Sequence, residues 1–266
     1  MNQNKALYRD PAFDNGGPSN VLWNRFRGRD DDARTFFWDF REYIPGLTTG
    51  NLQNDLYTYN DGTDLIGTTT PDFGLLMDHA AADNDESYLV GGGNTGAVGS
   101  IASSGGKLLA FEASIRKSSV DNDAIAFFCG LAAPGSAVAA TLTDDDALLA
   151  DISAIGFRVL QDDGDSLDVV YRKSGQAIQN VKDALQAVAA DTYYKLGILF
   201  DPDATASKKV TFYVDGVDTG YYITGTQLAA ATFPDGVGLN FLIGSKLGDA
   251  NAESMGIRWV KFGQIR

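Results

Sequence analysis

Carboxyl groups are the first candidates for chemistry, because acidic residues outnumber basic ones by 35 to 21 in this chain of 266 residues. Two runs bring several of them together, Asp144–Asp146 and Asp162–Asp165. A pair of carboxyl groups can act as acid and base in the hydrolysis of a glycosidic bond. Both runs have turn-like sequences, however, in which aspartate caps the turn or stays in solvent. We therefore predict exposed turns here rather than a catalytic pair.

The sequence also lacks a complete set of groups for nucleophilic catalysis. A serine or cysteine nucleophile needs a general base, usually histidine, and the single histidine, His79, has no recognisable nucleophile motif near it. The single cysteine, Cys129, lies in the apolar run Ala126–Gly130, and one cysteine cannot form a disulfide or a cysteine metal site within the chain. We predict a structural His79, at the surface or hydrogen-bonded, a buried Cys129, and a protein that is not an enzyme.

Calcium is the one cofactor for which the sequence offers ligands, because it binds carboxylate and carbonyl oxygens of flexible loops. Such ligands could come from Asp30–Asp32, Asp121–Asp123 or Asp162–Asp165. None of these segments has a recognised calcium-loop spacing. We predict no cofactor and keep calcium as the alternative.

Tyr221 and Tyr222 are the candidates for carbohydrate binding, which requires an exposed aromatic platform. Side chains alternate between the two faces of a β-strand, so one of these two points outward if the pair lies on a strand. The competing interpretation is that both tyrosines only pack in the core or in an interface.

Arginine and aromatic residues are interspersed near the N-terminus, and both types are enriched in protein interfaces. Residues 1–41 have a net charge of +1 and the rest of the chain −15. We predict an N-terminal arm, residues 1–35, whose deletion abolishes assembly but leaves the rest of the chain folded. The residues that we predict to bind a partner are Trp23, Arg25, Phe26, Arg27 and Arg29.

The overall composition is that of a globular protein with an acidic surface. The hydrophobic fraction is 44%, the charged fraction 21% and the net charge −14. Phosphate binding requires a basic face, so we expect neither nucleic acid nor an anionic membrane as a partner. The chain has no apolar segment typical of a leader or a membrane span, which favours synthesis in a cytoplasm without classical export.

The elements that would position these groups are short β-strands. Apolar or alternating runs separated by turn residues begin at about residue 36, a pattern typical of a sandwich or barrel. The Asp215-Gly216 pair predicts a tight hairpin, whereas residues 182–190 suggest a helical turn or a loop that crosses a sheet edge. We predict one all-β antiparallel sandwich over residues 36–266, in which residues 37, 38 and 40 could form the first strand. Its clearest strands are residues 108–115, 124–130, 154–160, 167–171, 193–200, 210–214, 240–243 and 255–264.

Three of these runs carry a family resemblance. Tyr193–Asp201, Lys209–Gly216 and Gly256–Phe262 resemble the back half of concanavalin A-like lectin/glucanase jelly-roll domains, including laminin-G-like modules. The resemblance covers residues 105–266 well and residues 36–100 loosely. The acidic strand motif of the glycanases in this fold class does not occur in the sequence, so the resemblance implies binding rather than catalysis.

Domains of this kind are similar to virion proteins of tailed phages, which often carry an N-terminal arm. The resemblance therefore implies a virion structural protein, most of all a capsid decoration or cement protein. Its expected partners are capsid or other virion proteins and further copies of itself, as a trimer or dimer, and its expected location is the virion. The alternative is a lectin-like carbohydrate-binding module of a tail or fibre that serves host adsorption.

Overall fold

The computed structural model describes residues 17–26, 32–40, 50–52, 56–60, 65–68, 74–143 and 149–266. Two short α-helices lie in these ranges, α1 (Asn20–Trp23) and α2 (Gly225–Leu228), and a 3-10 turn, Asn24–Phe26, directly follows α1. The described strands are β1 (Ala33–Asp39), β2 (Gly50–Leu52), β3 (Leu56–Asn60), β4 (Leu65–Thr68), β5 (Leu75–Asp78), β6 (Glu86–Gly91), β7 (Gly99–Ser100), β8 (Leu109–Lys117), β9 (Ile125–Ala132), β10 (Ala154–Val159), β11 (Ser166–Arg172), β12 (Gln179–Ala187), β13 (Tyr194–Phe200), β14 (Val210–Val214), β15 (Val217–Ile223), β16 (Gly238–Leu247) and β17 (Ser254–Ile265).

These strands form two antiparallel sheets. The first sheet has the order β15-β14-β13-β8-β17-β5-β4, and β1 also pairs with β17. The second sheet has the order β12-β11-β10-β9-β16-β6-β3-β2, and β7 also pairs with β16. The prediction of an all-β antiparallel sandwich is confirmed, and each of the eight runs identified in the sequence coincides with a strand.

The core lies between the two sheets and is rich in aromatic side chains. Phe111 packs against Phe241, and Phe157 meets Phe212 edge to face. All four side chains are fully buried. Burial of this much apolar surface is the main source of the free energy of folding.

Both sheets are also covered on parts of their outer faces. Every residue of β9 is buried, which an uncovered sheet with one solvent face does not allow. Residues that follow β9 cover the second sheet, since Leu142 and Leu149 pair in an isolated bridge and join a cluster with Tyr88 and Phe128. On the first sheet the cover is supplied by residues 17–26.

The predicted hairpin at Asp215-Gly216 joins β14 to β15. Both residues have positive φ, 52° and 78°, the conformation of the tight turns that match the twist of paired strands. The prediction for residues 182–190 is wrong, because residues 182–187 belong to β12 and pair with β11 at the edge of the second sheet. An irregular register hid this strand: Val169 pairs with Lys182 and Leu167 with Gln186, which interrupts the alternation of side chains.

The first strand begins before the predicted domain boundary. Ala33, Arg34 and Thr35 pair with the end of β17, so the division at residue 35 falls inside β1. Trp38 is buried within β1, in agreement with the interpretation that it belongs to the first strand, whereas Phe40 is buried just after the strand ends at Asp39. Phe37 faces the other way and contacts Trp259.

Candidate functional site

Residues 17–26 lie across the outer face of the first sheet, and we call this segment the strap. Its helical turns place Leu22, Trp23 and Phe26 against the sheet, where at most 6% of each side chain remains exposed. The residues that receive it, called the seat, come from β8, β13, β14, β17 and the turn after β13. They are Ala110, Glu112, Gly197, Leu199, Asp201, Tyr213 and Gly263.

Glu112 provides the polar centre of the seat. Its Oε2 accepts hydrogen bonds from the backbone N–H of Ser19 and from Trp23 Nε1, both at 2.8 Å. The side chain is fully buried, and burial raises the pKa of this carboxyl group although the strap hydrogen bonds and Lys195 oppose the rise. A buried carboxylate is stable only with such donors, so Glu112 depends on the strap.

Two glycines shape the seat to the side chains of the strap. A Cβ atom at Gly197 would lie 2.8 Å from Leu22 Cδ2, and one at Gly263 would lie 3.1 Å from both the Trp23 and Phe26 rings. Neither glycine is required by its own backbone conformation, since each lies in a regular strand. Their absent side chains leave the depressions into which the strap packs.

Charged groups complete the contact. Arg25 forms a salt bridge with the buried carboxylate of Asp201. Lys261 Nζ lies 4.2 Å from the centroid of the Trp23 ring, a cation–π geometry. The strap therefore meets the seat with apolar, hydrogen-bonding and charged groups in matched positions.

The sequence prediction of partner-binding residues thus falls partly on the strap. Trp23 and Phe26 are buried against the sheet of the same chain, and their predicted contact with a partner stays a prediction. Arg25 is half exposed and pairs with Asp201, and Arg27 and Arg29 lie outside the described residues. The sequence analysis missed Glu112, whose charge interrupts an apolar strand and is the one signal that could have revealed the seat.

The Glu112 carboxyl should make the stability of the protein depend on pH. Because its folded-state pKa is raised, the folded protein holds this proton more tightly than the unfolded chain does, and its contribution to stability is lost as pH rises through the folded pKa. Glu112→Gln keeps an acceptor for Ser19 and Trp23 without the charge. We expect the melting temperature of Glu112→Gln relative to wild type to increase as pH rises above the ordinary glutamate pKa of about 4.3.

A matched Glu112→Ala variant controls for the loss of the acceptor. It should be less stable than Glu112→Gln at every pH, because it leaves both strap donors without a partner. If the melting temperatures of wild type and Glu112→Gln changed in parallel with pH, Glu112 would not titrate in the pH range measured.

The outer face of the second sheet holds acidic groups that are engaged within the chain. Glu86 accepts hydrogen bonds from the Tyr88 hydroxyl and the backbone N–H of Ala140, and burial raises its pKa. Asp168 pairs with Arg158 and also accepts from the Ala184 backbone N–H at 2.9 Å. Glu86 thus fixes the covering segment at Ala140, and Asp168 fixes the edge strand β12.

The two candidate tyrosines lie on β15 and point to opposite faces, as alternation requires. Tyr222 is capped by Lys208, whose Nζ lies 4.2 Å from the ring centroid, and its hydroxyl donates to Asp218. Tyr221 is 37% exposed and lines a groove of about 180 Å³ between β12 and β15. The other residues of the groove are Leu185, Gln186, Val214, Val217 and Thr219.

The remaining candidates have structural surroundings. His79 is buried with Nε2 2.7 Å from Ser245 Oγ, and Cys129 is fully buried, which raises the pKa of its thiol. Residues 162 and 163 are exposed in the turn before β11, as predicted, whereas residues 30, 31 and 144–146 lie outside the described ranges. Among the described residues no three His, Cys, Asp or Glu side chains converge as metal ligands. No helix in those ranges is long and apolar enough to span a membrane.

Comparison with known proteins reveals likeness in structure but not in sequence. No model of a known protein family matches the chain, and no curated protein matches it. The carbohydrate recognition domain of Emp47p superposes with a TM-score of 0.57 at 10% identity, over 89% of this chain and 99% of that domain. Peanut lectin gives 0.53 at 16% identity, over 87% and 97%.

An enzyme is also among the similar structures. The endo-β-1,4-glucuronan lyase of the fungus Trichoderma reesei superposes with a TM-score of 0.52 at 13% identity, over 87% of this chain and 95% of the lyase. These likenesses confirm the concanavalin A-like lectin/glucanase jelly-roll fold. Because this fold hosts both lectins and enzymes, function must be argued from the site.

Proposed function

We propose that this chain is a non-catalytic structural protein of a tailed-phage virion, a capsid decoration or cement protein that joins neighbouring subunits through its N-terminal segment. The observation that carries the proposal is the strap in its seat. The strap precedes β1 and packs through its side chains onto the outer face of the first sheet. Neighbouring subunits of a capsid shell can contact each other in the same way.

Two further observations support a non-catalytic role. Glu86 and Asp168, the buried acids on the outer face of the second sheet, are hydrogen-bonded to other groups of the same chain. Retaining and inverting glycosidases need two carboxyl groups that face the substrate across an open cleft. The strongly acidic body also suits binding to proteins rather than to nucleic acid.

The test is the location of the protein in particles from its natural source. We expect mass spectrometry of purified virions to detect this chain in a fixed ratio to the major capsid protein, and cryo-electron microscopy to place its sandwich on the outer shell. The ratio distinguishes a decoration protein from a tail or fibre component, which is present in few copies. Absence of the chain from purified particles would overturn the proposal.

A second candidate function, carbohydrate binding, is favoured by the groove beside Tyr221. An aromatic ring with Gln186 and Thr219 nearby offers stacking to a sugar face and hydrogen bonds to its hydroxyl groups. The groove is smaller than drug-sized pockets of about 300–1,000 Å³, so it suits a single sugar ring. The lectin fold of the similar structures agrees with this candidate.

A glycan array followed by calorimetry tests the second candidate. We expect any bound saccharide to lose at least about tenfold in affinity with Tyr221→Ala. Tyr222→Ala is the matched control, because Tyr222 is the neighbouring tyrosine on β15 and does not line the groove. Binding that survives Tyr221→Ala, or an array without any bound glycan, would exclude the groove as a lectin site.

A further inference from the structure

The strap is energetically separable from the sandwich. Leu22, Trp23 and Phe26 form their own apolar cluster with the outer face of the first sheet, and none of the three joins the core between the sheets. The strap contributes no strand to either sheet. It can therefore leave its seat without opening the core or breaking a ladder of backbone hydrogen bonds.

The seat is specific for this segment. Buried Glu112 needs the donors that Ser19 and Trp23 supply, and the depression at Gly197 fits Leu22. An empty seat would expose apolar surface at Ala110, Leu199 and Tyr213 next to a poorly solvated carboxylate. The segment that supplies the two donors to Glu112 Oε2 and the apolar side chains is residues 17–26, and every copy of the chain carries it.

We propose that the seat binds the strap of a second copy, so that subunits are linked by strap exchange. The exchange preserves every contact between strap and seat, which makes it a route to oligomers with little loss of interaction energy. In the sequence, residues 27–32 separate the strap from β1. This inference rests on the assembly role proposed above but not on the identity of the particle.

The protein concentration determines whether the strap binds its own seat or the seat of a second copy. A strap tethered to its own sandwich has a high effective concentration at its own seat, so dilute protein should be monomeric with the strap in place. When copies are held side by side, the neighbour's seat is equally close and exchange becomes competitive. The linked form should therefore increase with protein concentration and persist in a shell.

The experiment uses two full-length variants that each carry one added cysteine besides the buried native Cys129. Leu22→Cys carries the thiol on the strap, and Gly197→Cys carries it in the seat beneath Leu22. The Gly197→Cys side chain also crowds its own Leu22, which favours entry of the shorter strap residue of the other variant. When both proteins are mixed at high concentration under mild oxidation, we expect a disulfide-linked dimer on a non-reducing gel that neither variant forms alone.

Two controls make the result decisive. Val138→Cys, an exposed position, replaces Leu22→Cys to measure random cross-linking, and native Cys129 is fully buried. The double variant with both cysteines in one chain verifies that the geometry permits the bond. Strap exchange would be overturned by two results together. The double variant would form the disulfide within its own chain, and the mixed variants would give no more linked dimer than the Val138→Cys control.

A second measurement covers the case in which the disulfide cannot form. A fluorescent peptide of residues 17–26 is titrated into full-length wild type and into the Trp23→Ala variant, whose own strap is weakened. We expect at least about tenfold tighter binding to the variant, and no binding of a peptide that itself carries Trp23→Ala. Failure of the wild-type peptide to bind the variant chain contradicts the proposal, whereas the virion assignment is judged separately by particle composition.

Discussion

Trp23→Ala is expected to destabilise the protein by about 3 kcal/mol, the lower end of the range for truncation of a buried tryptophan. The indole is 94% buried between Phe26, Lys261 and the Gly263 depression. The change also removes one of the two donors to Glu112, which leaves a buried carboxylate with weaker compensation. Packing and electrostatics therefore act in the same direction.

The measurement is equilibrium unfolding in urea, with Val21→Ala as the matched control. Val21 lies in the same short helix but is 56% exposed, so its truncation should stay within about 0.5 kcal/mol of wild type. If Trp23→Ala were equally neutral, the strap would not be held in solution as described. A large loss would also mean that removal of residues 1–35 costs more stability than the sequence pattern predicts, because the deletion uncovers the seat.

The strands could be predicted from the sequence because the information for them is local. In β13 and β14 apolar residues run continuously to a turn, and Asp215-Gly216 has the conformation that such a hairpin requires. The concanavalin A-like resemblance added the jelly-roll class of the sandwich. The prediction failed at β12, since its register shift breaks the period of two on which strand prediction depends.

The seat could not be predicted, because its groups are distant in sequence and meet only in the folded chain. Glu112 is 93 residues from Ser19 and 89 from Trp23. Gly197 and Gly263 look like ordinary strand glycines until the strap is placed above them. The sequence identified the strap aromatics as contact residues by type, but residue type alone does not distinguish a seat on the same chain from one on a partner.

The outer faces of both sheets carry buried acidic side chains, and each compensates them with hydrogen-bond donors from a different part of the chain. On the first sheet a buried carboxyl group is compensated by donors from the strap. On the second sheet Glu86 accepts from the covering segment at Ala140, and Asp168 accepts from Ala184 in the edge strand β12. In each case a buried acidic acceptor orients a neighbouring segment through a backbone N–H group. Because Asp168 also carries a buried cationic partner, it is the place where removal of one side chain should have the widest effect.

Asp168→Ala is expected to cost about 3–5 kcal/mol, the range for breaking a buried ion pair by removing one partner. Arg158 would keep its charge in a buried position, since its Nε now donates to Asp168 Oδ2 at 3.3 Å. The irregular stretch of β12 would lose its anchor at the same time, because the Ala184 N–H donates to Asp168 Oδ1. Ala184 has a φ of 48°, a strained conformation for alanine that persists only where surrounding contacts hold it.

Urea unfolding measures the loss of stability in Asp168→Ala, and hydrogen exchange measures the loss of order in β12. Amides of residues 179–187 should exchange faster in Asp168→Ala, and the groove beside Tyr221 should lose its wall at Leu185. Asp168→Asn should have intermediate stability, because it keeps an acceptor for Ala184 but lacks the charge. Asp183 is exposed on β12, so Asp183→Ala should change the stability by no more than about 0.5 kcal/mol. If exchange at residues 179–187 were unchanged while stability fell, the ion pair would support the sheet alone, and the shape of β12 would have to come from its pairing with β11.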